Sequence, residues 1–203
     1  MFPFDVILFD VGGVLLTNGW DHRERADTTA HFQLDPAAFE ARHAATYGAW
    51  ESDAISGKEY LNQTVFYEPR PFSRGDFFSY VLGQSQPLPD GALGILKEVA
   101  ASNHYLVGAL NNEARETNDY RFRHFGLRQH FRVALSSCYL GLRKPDPAIY
   151  KRALDILGKP PERVLFIDDR EENAEAARAA KMQAIRFTGA ASLSAELANL
   201  GVL

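Results

Sequence analysis

Cysteine is nearly absent from this sequence: Cys138 is the only one among 203 residues, so no disulfide can form within the chain. Such sparing use of cysteine is typical of proteins that fold in a reducing compartment. The residues around Cys138 favour a small buried side chain over a reactive nucleophile. We therefore expect a protein of the cytoplasm, without a disulfide framework and without cysteine chemistry.

Long apolar runs and an excess of basic residues are also missing. No stretch is long enough for a membrane span, and the first residues lack the basic start and extended apolar segment of a secretory leader. Lys and Arg number 22 against 26 Asp and Glu, which gives a net charge of −4. Because a nucleic-acid binder needs a positive patch, we expect neither nucleic acid nor membrane as a partner. The composition indicates one large domain, or one domain with an insertion.

What is present begins with a strand pattern close to the N-terminus. The apolar run of residues 6–9 ends at Asp10, and Gly12 and Gly13 follow almost at once. A short apolar run closed by a turn signal predicts a buried strand with Asp10 at its C-terminal end. Ligands of open α/β sheets bind at that edge, so Asp10 is a candidate site residue. Asp5, which precedes the run, is placed at the entry side of the strand.

A different character marks residues 17–86, where strand-like runs disappear. Aromatic and charged residues recur there at helical spacing, broken at 35–36, 56–57 and 68–71. The spacing predicts three or four amphipathic helices, inserted after the first strand as a cap. We expect most cap aromatics to form its core, and Trp20 to line a pocket beside the first motif. The predicted division is a core of residues 1–16 and 87–203 with a helical cap of residues 17–86.

Strands and helices alternate regularly after the insertion. The predicted strands are residues 105–110, 133–136, 163–167 and 184–187. The predicted helices are residues 90–101 (capped by Asp90), 113–125, 146–157 and 171–181, and a last helix capped near Ser192. Strands separated by helices favour right-handed crossovers. The predicted fold class is therefore α/β, a doubly wound parallel sheet with an inserted α-helical cap.

Polar side chains follow four of these strand ends. They are Asp10, the pair Asn111 and Asn112, Lys144 in the loop after the third strand, and the pair Asp168 and Asp169. A parallel sheet brings all four groups to one edge. Each alone can be a turn residue, a helix cap or a surface lysine. Together they resemble a phosphoryl-transfer site, because Mg²⁺ relieves the repulsion between neighbouring carboxylates and a carboxylate can act as nucleophile.

These motifs resemble those of the haloacid dehalogenase-like (HAD) hydrolase superfamily over essentially the whole chain. In order they are Phe9-Asp-Val-Gly-Gly-Val14, Ala109-Leu-Asn-Asn112, Arg143-Lys-Pro-Asp-Pro147 and Phe166-Ile-Asp-Asp-Arg-Glu-Glu-Asn173. Their order and spacing are more specific than any one of them. The resemblance is greatest to small bacterial sugar-phosphate phosphatases and to the phosphatase-like domain of epoxide hydrolases. It implies a Rossmann-like core and a C1 cap that closes over the active site.

The resemblance also implies roles for the strand-end residues. Asp10 would be the nucleophile that forms an aspartyl-phosphate. The Mg²⁺ ligands would be Asp10, the Gly12 carbonyl and Asp169, with Asp168 contributing directly or through water. Lys144 would hold the phosphoryl group and the Asp10 carboxylate.

Asn111 and Asn112 are assigned to substrate binding, since the amide and the peptide N–H of Asn112 can donate to phosphoryl oxygens. Asn173 occupies a position where relatives often have an acid or amide that supports the metal ligands. The helix that follows this second motif carries Arg115 and Arg121, which we expect to be solvated.

Two positions depart from the family pattern. Most family phosphatases carry a second aspartate two residues after the nucleophile, where this chain has Gly12, and Asn111 replaces the usual Ser or Thr. Gly12 keeps a carbonyl but has no side chain to transfer a proton. Proton transfer by such a side chain raises reaction rates by a factor on the order of 10²–10⁴. A glycine does occur there in the sugar-phosphatase branch. The candidates to replace the missing acid come from the cap: His22, Glu24, His43, Glu51 and Glu59.

The resemblance implies a Mg²⁺-dependent phosphatase for a small phosphorylated metabolite, foremost a sugar phosphate. One alternative is a non-catalytic phosphate or metabolite sensor, which would bind without releasing product. The other is a C–halogen hydrolase, which needs the carboxylate nucleophile but no Mg²⁺; the aspartate pair argues against it. The sequence leaves the substrate's identity and the oligomeric state open.

Overall fold

The structure, a computed structural model, describes residues 3–203. One sheet contains all the strands of this part of the chain. They are β1 (Val6–Phe9), β2 (Leu106–Ala109), β3 (Val133–Ala134), β4 (Val164–Asp168) and β5 (Gln183–Arg186). All four pairings are parallel, and the order across the sheet is β3-β2-β1-β4-β5. The predicted α/β class and parallel sheet are confirmed.

Helices occupy much of the remaining described chain. They are α1 (His22–His31), α2 (Pro36–Glu51), α3 (Gly57–Thr64), α4 (Arg74–Gly83), α5 (Leu93–Ser102), α6 (Arg115–His124), α7 (Ser137–Leu140), α8 (Pro147–Leu157), α9 (Glu171–Ala179) and α10 (Ala190–Asn199). Two short 3₁₀ turns, Leu127–Gln129 and Pro161–Arg163, precede β3 and β4. None of these helices combines the length and apolar character that a membrane crossing requires.

Strand β1 lies at the centre of the sheet, and its side chains alternate between two hydrophobic cores. Ile7 and Phe9 pack in a cluster that includes residues of α5, α6 and α10. Val6 and Leu8 pack on the opposite face with residues of α8 and α9. Helices therefore cover both faces, as a doubly wound sheet requires, and all four residues of β1 are fully buried.

The four helices α1–α4 follow β1 as a separate bundle. Their N-caps are Asp21, Asp35, Ser56 and Ser73, so three of the helices begin at or near the predicted breaks. A third hydrophobic cluster fills the bundle with the cap aromatics. Its buried members include Phe39, Trp50, Tyr60 and Phe77. The expectation of an aromatic cap core is confirmed for Phe39, Trp50 and Phe77, while the cap boundaries at 16/17 and 86/87 stay a prediction.

The chain leaves the sheet for this bundle and returns to it at adjacent points. The peptide N–H of Thr17 donates to Gln86 O at 2.8 Å, and that of Leu88 donates to Leu15 O at 3.1 Å. The insertion therefore connects to the core through two neighbouring chain segments.

Local details differ from the sequence predictions at three places. Helix α5 begins after Ala92 without a side-chain cap, so the prediction of Asp90 as its cap was wrong. The reason is that residues 88–91 form a turn, in which Gly91 N–H donates to Leu88 O, and Ala92 N–H then donates to Val14 O. Similarly, α10 begins after Gly189, and Ser192 lies inside it. Helix α7 was not predicted, because four residues are too few for a periodic pattern.

Candidate active site

Asp10 immediately follows β1 at the carboxyl edge of the sheet. Its peptide N–H donates to Ile167 O, which continues the pairing of β1 with β4 by one residue. The carboxylate turns back over its own chain, where Oδ1 accepts a hydrogen bond of 2.7 Å from Val11 N–H. Lys144 Nζ lies 3.1 Å from the same oxygen. The predicted nucleophile is thus fixed by a backbone donor and a cation.

Lys144 lies between two carboxylates. Its Nζ is 2.6 Å from Asp168 Oδ2, and both side chains are almost fully buried. Asp168 also accepts hydrogen bonds from Arg170 N–H at 2.9 Å and from Asn173 Nδ2 at 2.9 and 3.1 Å. Asn173 therefore supports an acid of the last motif, as the resemblance implies. This saturated carboxylate holds the ammonium group of Lys144 in place beside Asp10.

Asp169 completes a group of three acids with Asp10 and Asp168. Each contributes one oxygen, and the three oxygens lie within 4.8 Å of one another. The Asp169 carboxylate lies against the backbone of Gly13, where a Cβ would come within 2.3 Å of Oδ2. Oxygen ligands crowded at this spacing suit a hard divalent cation such as Mg²⁺. Asp10 and Asp169, with the nearby Gly12, fit the predicted ligand set.

The pKa shifts of these acids also indicate a site for a cation. The pKa of Asp10 is raised to about 8, chiefly by burial and also by the charges of Asp168 and Asp169, against the lowering effect of Lys144. Burial and the Asp168 charge also raise the pKa of Asp169. Burial would lower the pKa of Lys144, but the two neighbouring carboxylates raise it overall. One lysine thus faces three acids, and a divalent cation would offset the remaining negative charge.

The side chains of the two asparagines in the second motif form hydrogen bonds to other groups of the protein. Asn111 Nδ2 donates to Asn118 Oδ1 at 2.9 Å, and Asn111 Oδ1 accepts from Ser136 Oγ at 2.8 Å. The Asn112 amide bonds the backbone of Lys144 with both its donor and its acceptor. Asn112 lines the cavity described next, whereas Asn111 is buried beneath it. Their assignment to substrate binding stays a prediction.

A cavity of about 600 Å³ extends from these residues to the inserted helices. The core side contributes Asp10, Gly12, Asn112, Lys144 and Asp169. The cap side contributes Trp20, Arg25, His43, Tyr47 and Trp50. Trp20 lines the pocket as expected, and its indole N–H donates to Tyr60 Oη at 2.8 Å.

Of the cap residues considered as proton-transfer groups, His22, His43 and Glu51 line the cavity. Glu24 and Glu59 instead take part in the capping boxes that begin α1 and α3. The structure therefore places these two carboxylates at helix ends, and neither is among the described residues that line the cavity.

The two more deeply placed candidates already have partners. His43 Nδ1 lies 2.8 Å from Tyr60 Oη, and burial lowers the pKa of His43 to about 4. Glu51 Oε2 lies 2.6 Å from Arg143 Nη2. Burial raises the pKa of Glu51, against the lowering effect of Arg143. The Glu51–Arg143 pair also ties the cap to the loop that carries Lys144.

One arginine lies where the sequence prediction did not place it. Arg121 is buried with 1% of its surface exposed, forms an ion pair with Glu113 and donates to Thr17 O. The expectation of a solvated side chain was wrong for Arg121, because α6 turns its polar face with Thr117 and Asn118 into the protein. Arg115 is half exposed and pairs with Asp53 of the cap. Glu113 precedes α6 and does not lie on it, so no helical spacing in the sequence linked it to Arg121.

Comparison with known proteins agrees with this geometry. A model of the haloacid dehalogenase-like hydrolase family matches residues 4–181, most of the chain. The chain belongs to this family. The HAD resemblance drawn from the four motifs is confirmed, and with it the hydrolase class.

Two HAD relatives and one solved HAD structure show how far the similarity extends. Flavin mononucleotide hydrolase 1 of Arabidopsis thaliana is 26% identical over 198 residues, which cover 97% of this chain and 78% of that protein. Bifunctional epoxide hydrolase 2 of Rattus norvegicus is 42% identical over 71 residues, only 35% of this chain and 13% of that protein. A HAD family enzyme of Bacteroides thetaiotaomicron has the same fold, with a TM-score of 0.79, 19% identity and coverage of 93% and 95%.

Proposed function

We propose that this HAD family member is a Mg²⁺-dependent phosphatase that hydrolyses a small phosphorylated metabolite, foremost a sugar phosphate, in the cytoplasm. The observation that carries the proposal is the position of Lys144 Nζ between Asp10 and Asp168, with Asp169 completing the acid group. A carboxylate held by a buried cation beside a divalent-metal ligand set is suited to attack phosphorus.

In the proposed reaction the Asp10 carboxylate attacks the phosphoryl group, and the bond to the leaving oxygen breaks to give an aspartyl-phosphate. Lys144 balances charge on Asp10 and on the phosphoryl oxygens throughout. Water then attacks phosphorus, phosphate leaves and the carboxylate is restored. Asp10, Asp169 and the Gly12 carbonyl would hold Mg²⁺, with support from Asp168, and the ion would supply charge neutralisation at the phosphoryl oxygens.

The cavity supports a small substrate. Its volume of about 600 Å³ lies within the range of roughly 300–1,000 Å³ that holds small ligands. We propose that the cap, residues 17–86, closes this space and selects the leaving group through Trp20, Tyr47 and Trp50. The Arabidopsis relative named as a flavin mononucleotide hydrolase, and the Bacteroides structure solved with magnesium and inorganic phosphate, support a phosphoric monoester as substrate.

The test is phosphate release from a panel of sugar 1-phosphates, flavin mononucleotide, an aryl phosphate and alkyl phosphates, with Mg²⁺ or EDTA. Since Gly12 offers no acid to a poor leaving group, we expect alkyl phosphates to react slowest. Asp10→Asn should abolish release. Asp5→Asn, which changes an aspartate at the far end of β1 that pairs with Arg163, is the control and should not.

Release that is unaffected by Asp10→Asn or by EDTA would refute the proposal. Binding of Mg²⁺ and phosphate without any product would instead assign the chain to the sensor class.

A further inference from the structure

Glu113 and Arg121 form a buried ion pair in the wall of the cavity that contains Asp10. Arg121 Nη1, which pairs with Glu113 Oε2, lies 3.9 Å from the point that a Cβ on Gly12 would occupy. The two oxygens of Glu113 lie 2.8 and 3.1 Å from the corresponding point on Gly19. Glu113 thus presents a carboxylate beside the loop that follows Asp10, near the place of the missing side chain at position 12.

The backbone holds this carboxylate firmly. Glu113 follows Asn112 directly, and its peptide N–H donates to Ser137 Oγ at 2.9 Å. Its side chain is 10% exposed, and that of Arg121 is 1% exposed. Arg121 is fixed in turn by its bond to Thr17 O. Ser137 and α6 both belong to the core, so the pair is held on the same unit as Asp10, and its contact with Thr17 lies at the boundary with the cap.

The reaction needs such a group in its second half. Water that attacks an aspartyl-phosphate must lose a proton, and Gly12 has no side chain to receive it. Among the acids of the cavity, Asp10 carries the phosphoryl group and Asp169 belongs to the metal ligand set. Glu40 and Glu51 lie on the cap and pair with Arg25 and Arg143, respectively. Asp21 caps α1, and Glu172 is exposed in the first turn of α9. Glu113 is the remaining carboxylate that the core places beside the nucleophile's loop.

We propose that Glu113 is the general base that activates water in hydrolysis of the aspartyl-phosphate, an inference that rests on the proposed function. The water oxygen forms a bond to phosphorus while the bond from phosphorus to the Asp10 oxygen breaks. The water proton passes to the Glu113 carboxylate, Asp10 is restored as a carboxylate and phosphate departs as HPO₄²⁻. Glu113 then returns its proton to solvent through the cavity. Arg121 is the positioning residue that orients Glu113.

The same geometry predicts that an acid at position 12 can take over this role. A side chain added at Gly12 would approach Arg121 Nη1, the cation that now holds Glu113. Its nearest obstacle would be Asn18 Oδ1 at 2.9 Å, the end of a flexible side chain. Gly12→Asp therefore offers a second carboxylate to the same guanidinium group.

The experiment compares wild type, Glu113→Gln, Glu51→Gln and Gly12→Asp/Glu113→Gln with an aryl phosphate and Mg²⁺. Glu113→Gln should release about one equivalent of aryl alcohol per enzyme in a burst, then turn over on the order of 10²-fold slower than wild type. Acid-quenched intact-mass spectra should show the phosphorylated enzyme accumulating. Glu51→Gln, which removes the cap carboxylate of the other pair, should show no such accumulation. The double variant should recover turnover and lose the phosphorylated species.

A Glu113→Gln enzyme that turns over as wild type does, or that slows without accumulating phosphoenzyme, overturns the inference. Accumulation in Glu51→Gln instead would assign the base to the cap. Should Glu113→Gln fail to fold, Glu113→Asp, which keeps the charge for Arg121 but shortens the side chain, takes its place: slower turnover with accumulating phosphoenzyme supports the inference, and wild-type turnover overturns it. Wild type that releases no phosphate from any substrate refutes the proposed function itself, which distinguishes the two failures.

Discussion

Asn112 and Lys144 exchange two hydrogen bonds, each 2.8 Å long. Asn112 Nδ2 donates to Lys144 O, and Lys144 N–H donates to Asn112 Oδ1. One side chain thereby fixes both polar groups of the lysine's peptide backbone. The loop after β3 is thus attached to the end of β2, and the Lys144 ammonium group reaches Asp10 from a rigid base.

Asn112→Ala should therefore misplace Lys144. We expect kcat to fall by about 10-fold or more while KM changes little, because positioning of the charge is lost. Steady-state kinetics with an aryl phosphate test this. Asn112→Asp keeps the acceptor for Lys144 N–H and should retain more of kcat than the alanine variant. A large rise in KM with kcat preserved would show instead that the amide serves the substrate.

Gly13 allows Asp169 to lie against the backbone. Its φ is +71°, and a Cβ there would come within 2.3 Å of Asp169 Oδ2. Gly13→Ala should lower stability by about 1 kcal/mol or more and reduce activity at least 10-fold, by strain and by displacement of the acid. The control is Gly83→Ala at the end of α4, where a Cβ meets nothing within 4 Å. Thermal melts and turnover should leave that variant at or above wild-type stability.

Mg²⁺ should stabilise the folded chain through the acid group. At a concentration 100 times its Kd a ligand adds about 2.7 kcal/mol, which corresponds to a rise in Tm of roughly 5–10 °C for a chain of this size. Asp169→Asn should remove most of this shift, whereas Asp155→Asn on the exposed side of α8 should keep it. Differential scanning calorimetry with Mg²⁺ or EDTA measures the effect. An equal shift in both variants would place the ion elsewhere.

His43 should make stability decline in mild acid. Burial lowers its pKa to about 4 in the folded chain, from 6.5 for a free side chain. Between those values the unfolded chain binds the extra proton, so stability decreases as pH falls from 6.5 toward 4. His43→Gln should flatten this part of the profile in urea unfolding at pH 4.5–7. His124→Gln, at an exposed histidine, should leave it as in wild type.

The sequence predicted the site's strand-end residues because their pattern is local. Apolar runs ending in Asp10 and in Asp168 with Asp169 identify strand ends, and parallel topology then brings those ends together. The reciprocal bonds of Asn112 and Lys144 could not be predicted in this way, since they depend on how two loops meet. The ends of strands can be predicted from local sequence patterns, whereas hydrogen bonds between loops can be identified only once the structure is known.

Arg121 illustrates a second limit. Helix α6 is rich in polar residues, and polarity alone predicts a solvated surface. On the buried face of this helix, Arg121 pairs with Glu113, which precedes the helix, and donates to the carbonyl of Thr17, which is far away in the sequence. An arginine can be buried when such partners exist, and only the assembled structure shows whether they do.

The adjacent chain crossings at Thr17 and Gln86 have a consequence for how such proteins can diversify. The hydrogen bond between these residues joins the two ends of the insertion. The helices between them can therefore change without changing where the chain leaves and re-enters the sheet. A different set of helices could be grafted at the same two residues and leave the strands in place, although it would lose the Glu51–Arg143 pair that ties the present helices to the loop of Lys144. If the cap selects the leaving group as proposed, selectivity and reaction chemistry are encoded in separate stretches of sequence, and one can change while the other is kept.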